Sequence, residues 1–362
     1  MKKPDANNLS EKKQKALQPA HGLWSLYAPE KATHRFTASS PNEAASWRAE
    51  TRLALREVLG FNNLPPAPLA PIVIERVEKD GYIREKILIR TWRDAVMPVY
   101  MLLPKERPKP YPVVIAFHGH GYGVKDIVGL WEDGSERHHP DGYHKDFAVA
   151  LCRRGFAVAA PEISCFGERQ TDFSYLDTQM GQGVPSTCTH TAMLAFHMGG
   201  SVVGLRVHDG IRLVDYLETR PDLDISRLGA MGISGGGMHT LFSTCLDERI
   251  CACVVSGYFC TFRDSILAMH HCPCNFVPGL HEFGEMYDLA GLIAPRPMLV
   301  EAGSRDPIFP IKAVRKSISK ARIIYRKSGV SGMPDTDYFE GRHQISGAKA
   351  YYFLAGHLSL GC

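Results

Sequence analysis

The chain has 362 residues, 44% hydrophobic and 22% charged, a composition that supports a sizeable core and excludes wholesale disorder. Its 42 basic and 38 acidic residues leave a formal charge of +4 and are interspersed, so no basic run tracks a phosphate backbone and nucleic acid is not an expected partner. The N-terminal stretch is basic but not apolar, and no segment approaches ~18 unbroken apolar residues; the expectation is a cytoplasmic protein with no membrane partner.

Residues 1 to about 45 are polar and weakly periodic, whereas Trp47, Leu53, Leu55 and Leu59 recur among charges as in a helix over Trp47 to Leu59. A proline-rich connector follows at 61–71. The expected division is an N-terminal extension, 1–71, and a catalytic domain, 72–362.

Strand-like runs at Ile72 to Glu78, Tyr82 to Arg90 and Met97 to Leu103, with Asp80-Gly81 between the first two, predict an antiparallel meander. From Pro112 onward apolar strands alternate with helical stretches, which predicts a mostly parallel, doubly wound sheet with helices on both faces. Its strands are read at Val113 to Phe117, Phe156 to Ala160, Arg227 to Ile233, Ala252 to Ser256, Pro297 to Glu301 and Asp335 to Phe339. Helices are read at Tyr143 to Arg153, Ser201 to Glu218, Gly236 to Cys245 and Ser346 to His357. Two inserted irregular segments, 165–197 and 259–290, are expected to wall a pocket, with Phe166, Phe259, Met269 and Phe276 as substrate contacts.

Gly232-Ile233-Ser234-Gly235-Gly236 follows a strand and opens a helix, the setting in which Gly-x-Ser-x-Gly presents a serine nucleophile on a sharp turn. Its glycines remove side chains from the bend, and Gly235 offers an N–H to an oxyanion beside a helix N-terminus. Upstream, Phe117-His118-Gly119-His120-Gly121 follows an apolar strand and is suited to supply a second oxyanion N–H. A serine hydroxyl needs a base, and the base an orienting carboxylate. Asp306, in the turn after Met298 to Glu301, and His343, after Asp335 to Phe339, follow Ser234 in the required order. Asp335 and Asp337 fall before or inside their strand, and His357 late in a helix, so they are less well placed.

With these pieces assembled, the chain from about Pro112 to His357 resembles the α/β-hydrolase fold proteins grouped with dienelactone hydrolases and acetyl xylan esterases. The string Leu292-Ile293-Ala294-Pro295-Arg296-Pro297 leads in similar proteins into the strand before the acid. The resemblance implies Ser234 as nucleophile, Asp306 and His343 as its partners, and the N–H groups of His120 and Gly235 as the oxyanion hole. The expected activity is that of a carboxylesterase acting on small-molecule esters without cofactor, and the bulky Phe166, Phe259, Met269 and Phe276 of the two inserted segments predict a preference for short acyl groups. The chain has Gly235 where acetyl xylan esterases and cephalosporin C deacetylases carry Gln, and Gly167-Glu168-Arg169-Gln170 where they carry Arg-Gly-Gln.

Amide, peptide or C–C bond hydrolysis by the same triad, or binding without catalysis, are the alternative readings, and a homo-oligomer is compatible with the sequence. Ten scattered cysteines without a secretion signal do not suggest a disulfide framework. The string Met269-His270-His271-Cys272-Pro273-Cys274 contains zinc-ligand types, but no second cluster accompanies it in sequence; it reads as pocket wall or interface, with no metal expected.

Overall fold

The structure is a computed structural model that describes residues 11–60, 64, 67–174 and 186–359. Parts of the expected extension, of the connector at 61–71 and of the segment 165–197 lie outside the described residues. Helices α1 (Glu11–Ala16) and α2 (Pro19–Leu26) precede α3 (Pro41–Leu59), which begins where the Ser40 side chain accepts the Glu43 N–H at 3.4 Å. It ends at Gly60, whose φ of +90° places the cap in the left-handed region. The sequence pattern found only the later part of this helix. Leu55 and Leu59 are buried, but Leu53 is 69% exposed, because it projects from the opposite face.

Strands β1 (Ile72–Glu78), β2 (Tyr82–Trp92) and β3 (Ala95–Pro104) form the antiparallel meander. They join β4 (Tyr111–Phe117), β5 (Ala157–Pro161), β6 (Leu223–Ile233), β7 (Ala252–Ser256), β8 (Met298–Gly303) and β9 (Asp335–Phe339) in one sheet, ordered β1-β2-β3-β5-β4-β6-β7-β8-β9. Strand β3 meets β5 antiparallel, and the pairs from β5 through β9 are parallel. The chain runs from β4 to β5 on one side and returns past β4 to β6 on the other. Such a switch point opens a crevice at the carboxyl ends of β4 and β6, where ligands bind in open parallel sheets.

The helices that cover the sheet are α4 (Phe147–Cys152), α5 (Thr187–His197), α6 (Val202–Glu218), α7 (Gly235–Leu246), α8 (Met286–Ile293), α9 (Ile311–Lys327) and α10 (Ala350–Leu358). Alternation along β4 assigns the layers: Val114 and Ala116 pack with α4 and α10, while Val113, Ile115 and Phe117 pack with α6. Helices α3, α7, α8 and α9 share a further core with β7 and β8.

The helix read over Tyr143 to Arg153 is shorter, starting at Phe147, so Tyr143 and His144 lie in the preceding turn. Helix α5 lies inside a segment read as irregular, α8 begins within the other, and α9 was not read at all. Helix α9 buries Val314, Ile318, Ala321, Ile324 and Tyr325 at three- or four-residue steps, a stripe diluted in sequence by nine Lys, Arg and Ser residues. Among the described residues eight cysteines carry free thiols, and Cys251 is disulfide-bonded.

The start of α7 presses on the end of β4. A Cβ on Gly236 would lie 1.9 Å from the Phe117 carbonyl oxygen and 2.6 Å from that of His118. Backbone cannot yield as a flexible side chain does, so Gly236→Ala is expected to destabilise the fold by roughly 3 kcal/mol or more. The urea unfolding midpoint measures this, and an unchanged midpoint would contradict so close an approach.

Candidate active site

Strand β6 ends at Ile233, and the chain turns through Ser234 at φ +57° and ψ −121° before α7 begins at Gly235. A non-glycine residue at such angles is strained and persists only where its surroundings hold it. Here the Ser234 N–H donates to the Ser256 carbonyl at 3.1 Å, and the Met238 N–H donates to the Ser234 carbonyl at 2.9 Å. Across the turn, Gly232 and Gly236 are in contact, since a Cβ on Gly232 would fall 2.4 Å from the Gly236 oxygen. The turn therefore carries Ser234 out at the carboxyl edge of the sheet, beside the N-terminus of a three-turn helix.

The turns after β8 and β9 are tied together by the Ser304 N–H donating to the Phe339 carbonyl and the Arg305 N–H donating to the Gly341 carbonyl, each at 2.9 Å. This brings Asp306 and His343 together. His343 Nδ1 donates to Asp306 Oδ2 at 2.7 Å, while Asp306 Oδ1 accepts the N–H groups of Ile308 and Phe309 at 2.8 and 3.1 Å. The carboxylate is 1% exposed and so held in one orientation. The imidazole lies between the rings of Tyr143 and Phe309, at centroid distances of 5.5 and 5.8 Å. Its Nε2 has no hydrogen-bond partner among the described residues. Ser234 and His343 line the same cleft; a serine–histidine hydrogen bond of this kind commonly tightens only when substrate is bound.

Glu301, which sequence reasoning passed over, buttresses the histidine loop from below. Its fully buried carboxylate accepts the Ser256 hydroxyl at 2.8 Å and the N–H groups of Ser346 and Gly347 at 2.9 and 2.7 Å. Burial raises its pKa, and the hydrogen bonds oppose that rise.

The loop after β4 is fixed at nearly every polar atom. His118 is held at both ring nitrogens: Nε2 meets the Ile163 N–H at 3.0 Å and lies 3.1 Å from Glu162 Oε1, and Nδ1 meets the Gly119 carbonyl at 2.8 Å. Tyr143 donates its hydroxyl to the His120 carbonyl at 2.6 Å. The Gly119 N–H donates to His144 Nε2 at 2.8 Å, and His144 Nδ1 donates to Asp126 Oδ2, also at 2.8 Å. Burial holds His144 below the ordinary imidazole range, which favours the neutral ring this pattern requires. Burial raises the Asp126 carboxyl, but His144 and Arg137 outweigh it and hold it below its usual range. Neither the His120 nor the Gly235 N–H donates to another described residue. His144 and Asp126 were missed because they sit in a segment read as helix and loop.

The cleft has a volume of about 340 Å³ and is lined by His120, Ser234, Gly235 and His343, with Tyr143, Tyr258, Met269, Phe309 and neighbouring residues as walls. Of the four expected substrate contacts, Met269 lines it and the other three do not. Phe259 is buried in the core shared by α7, α8 and α9. Phe276 packs against that core and faces a separate depression near Tyr27 and Phe262. Phe166 lies beneath the loop after β4, edge-on to the rings of His118 and His120 at 5.6 and 5.0 Å. These inserted segments spend their large aromatic rings on their own burial.

The structure also changes the reading of the His270 to Cys274 segment, which in sequence has no metal-ligand companion. The donor atoms of Cys272 and Cys274 converge with those of Cys188 and His120, all four within 4.8 Å of one another. The companions were invisible because they come from the loop after β4 and from α5.

The Abhydrolase family profile matches residues 27–323, and the chain belongs to that family. It is 28% identical over 295 residues to a Bacillus subtilis (strain 168) protein named "Putative hydrolase YtaP", covering 78% of this chain and 90% of the other. Among solved structures it is similar to a protein described as "a putative acetyl xylan esterase" from Bacteroides fragilis NCTC 9343, with 18% identity, a TM-score of 0.71, and 90% and 82% of the two chains covered. It is also similar to a glucuronoyl esterase from Solibacter usitatus, with 18% identity, a TM-score of 0.60, and 91% and 99% covered. At such identities the structural likenesses establish the α/β-hydrolase fold, in accord with the sheet described above.

Because His144 holds the Gly119 N–H, its loss should leave substrate binding largely intact but misplace the neighbouring His120 N–H. His144→Ala is expected to lower kcat on an activated ester by about 10- to 100-fold with a small change in KM. Equal losses in kcat and in folding cooperativity would instead mark a purely structural role.

Proposed function

We propose that the protein is a serine hydrolase of carboxylic esters, with Ser234 as nucleophile, His343 as general base and Asp306 as the residue that orients it. The observation that carries this reading is the Asp306–His343 pair, its second ring nitrogen unengaged, on one cleft with a serine held in a left-handed turn. His343 Nε2 takes the Ser234 hydroxyl proton as Oγ adds to the ester carbonyl, and the N–H groups of His120 and Gly235 receive the oxyanion. Collapse of the tetrahedral adduct breaks the bond to the alkoxy group, which leaves as an alcohol with the proton from His343. Water, deprotonated by the same imidazole, then cleaves the acyl-enzyme and releases the acid.

A short acyl group suits a cleft at the small end of the ~300–1,000 Å³ typical of ligand pockets. The names of the two structural relatives, an acetyl xylan esterase and a glucuronoyl esterase, support ester over amide as the scissile bond. Amide or C–C hydrolysis would use the same residues and is separated by substrate choice.

With paired acetyl ester and acetyl anilide substrates, the ester is expected to turn over much faster, and acetyl esters faster than octanoyl esters of the same leaving group. Ser234→Ala and His343→Ala should each lower kcat by roughly 10⁴-fold or more without a matching loss of melting temperature. An active, folded Ser234→Ala protein would overturn the assignment of the nucleophile.

A further inference from the structure

We propose that His120, Cys188, Cys272 and Cys274 form a closed Cys3His site for one zinc ion, which staples together the three segments that bound the active site. The four donor atoms lie within 4.8 Å of one another, and His120 Nε2 is 3.6 Å from Cys274 Sγ. A tetrahedral ion with Zn–S about 2.3 Å and Zn–N about 2.0–2.1 Å sets that nitrogen–sulfur edge at about 3.6 Å. Three thiolates and an imidazole are the soft and borderline donors that favour zinc over magnesium or calcium. Local structure aims them at one point. Pro273–Asn275 is a 3-10 turn closed by the Asn275 N–H on the Cys272 carbonyl at 3.0 Å, so Cys272 and Cys274 flank one tight bend. Cys188 lies in the first turn of α5, and Cys188 and Cys274 are both buried.

A second observation points to the same ion. Arg206 is fully buried beside the thiols, with Nη2 3.9 Å from Cys188 Sγ and 3.2 Å from the Ser164 carbonyl oxygen. Its Nε and Nη1 have no hydrogen-bond partner among the described residues; the Phe166 ring lies against the guanidinium, 5.4 Å from its carbon to the ring centroid, but no carboxylate among the described residues pairs with it. A buried guanidinium without a counter-charge is costly. Three thiolates around a dication leave one net negative charge, which Arg206 neutralises. A disulfide between any two of the cysteines would leave the third thiol, the imidazole and this cation uncompensated.

Four protein ligands leave no open position for water or substrate, so the ion is structural and takes no part in the chemistry. It joins the loop after β4 through His120 to the 165–197 segment through Cys188 and to the 259–290 segment through Cys272 and Cys274. The His120 ring spans the two centres: Nε2 faces Cys274, while Nδ1 lies 3.2 Å from where a Cβ on Gly235 would be. Its backbone N–H is then positioned by the metal, a consequence that rests on the oxyanion role given to His120 above. Binding releases the thiol protons to solvent and involves no change of oxidation state.

The test is elemental analysis of the full-length protein purified under phosphine reductant without chelator, followed by cobalt(II) substitution. About one zinc per chain is expected, with a thiolate-to-cobalt charge-transfer band after exchange. Cys274→Ser and Cys188→Ser should each lower bound zinc at least several-fold, whereas Cys152→Ser, a buried thiol remote from the set, should retain it. If the ligand variants fail to fold, the cobalt spectrum of the wild-type chain decides. A reduced wild-type protein that holds no zinc and gives no thiolate band with cobalt overturns the site, as does a native disulfide within the set. Metal content and the cobalt spectrum are read without any substrate, so they stand or fall separately from the esterase assignment.

Discussion

The left-handed turn at Ser234 is the constraint on which the rest of the site depends. A side chain can be held there only if β6, the start of α7 and the end of β4 come close enough to lock the backbone, and that closeness requires glycine at 232 and 236. The same approach sets the loop after β4 against the N-terminus of α7, so His120 and Gly235 border the cleft that Ser234 also lines. Strain at one residue thus fixes the relation between the proposed nucleophile and the proposed oxyanion donors, which is the relation that catalytic electrostatics needs to be preorganised.

Two aspartate–histidine pairs illustrate how surroundings, not residue type, determine what an imidazole can do. In both, Nδ1 donates to a carboxylate, at 2.7 Å in Asp306–His343 and 2.8 Å in Asp126–His144. At His144 the opposite nitrogen is already occupied by the Gly119 N–H, so the ring is a brace. At His343, which lines the cleft, the opposite nitrogen is unengaged, so the ring is suited to take a proton. Loop geometry separates a positioning residue from a candidate base.

The parallel sheet and the placement of Ser234, Asp306 and His343 in turns that follow its strands were legible in the sequence because each is announced locally. A run such as Val113 to Phe117 or Met298 to Val300 is apolar on both faces, and the turn after its strand carries a residue of interest. What was not legible is whatever depends on contacts between distant segments. Phe166, Phe259 and Phe276 looked like pocket walls because they are large and lie in long insertions, yet the insertions need them as their own cores. The converging donors of His120 and Cys188 are far from Cys272 and Cys274 in the chain, so ligand spacing could not reveal them. Helix α9 is a different case: its apolar stripe was present at helical spacing, and the basic residues around it masked the pattern.

The arrangement of Ser234, His343 and the two N–H groups is tested most directly by the crystal structure of the protein reacted with an alkyl phosphonate that mimics the tetrahedral adduct. Phosphorus is expected on Ser234 Oγ, with the phosphonyl oxygen about 2.7–3.1 Å from both the His120 and Gly235 nitrogens and His343 Nε2 facing the esterified oxygen. Phosphorus on another residue, or an adduct on Ser234 whose oxygen points away from both N–H groups, would contradict it.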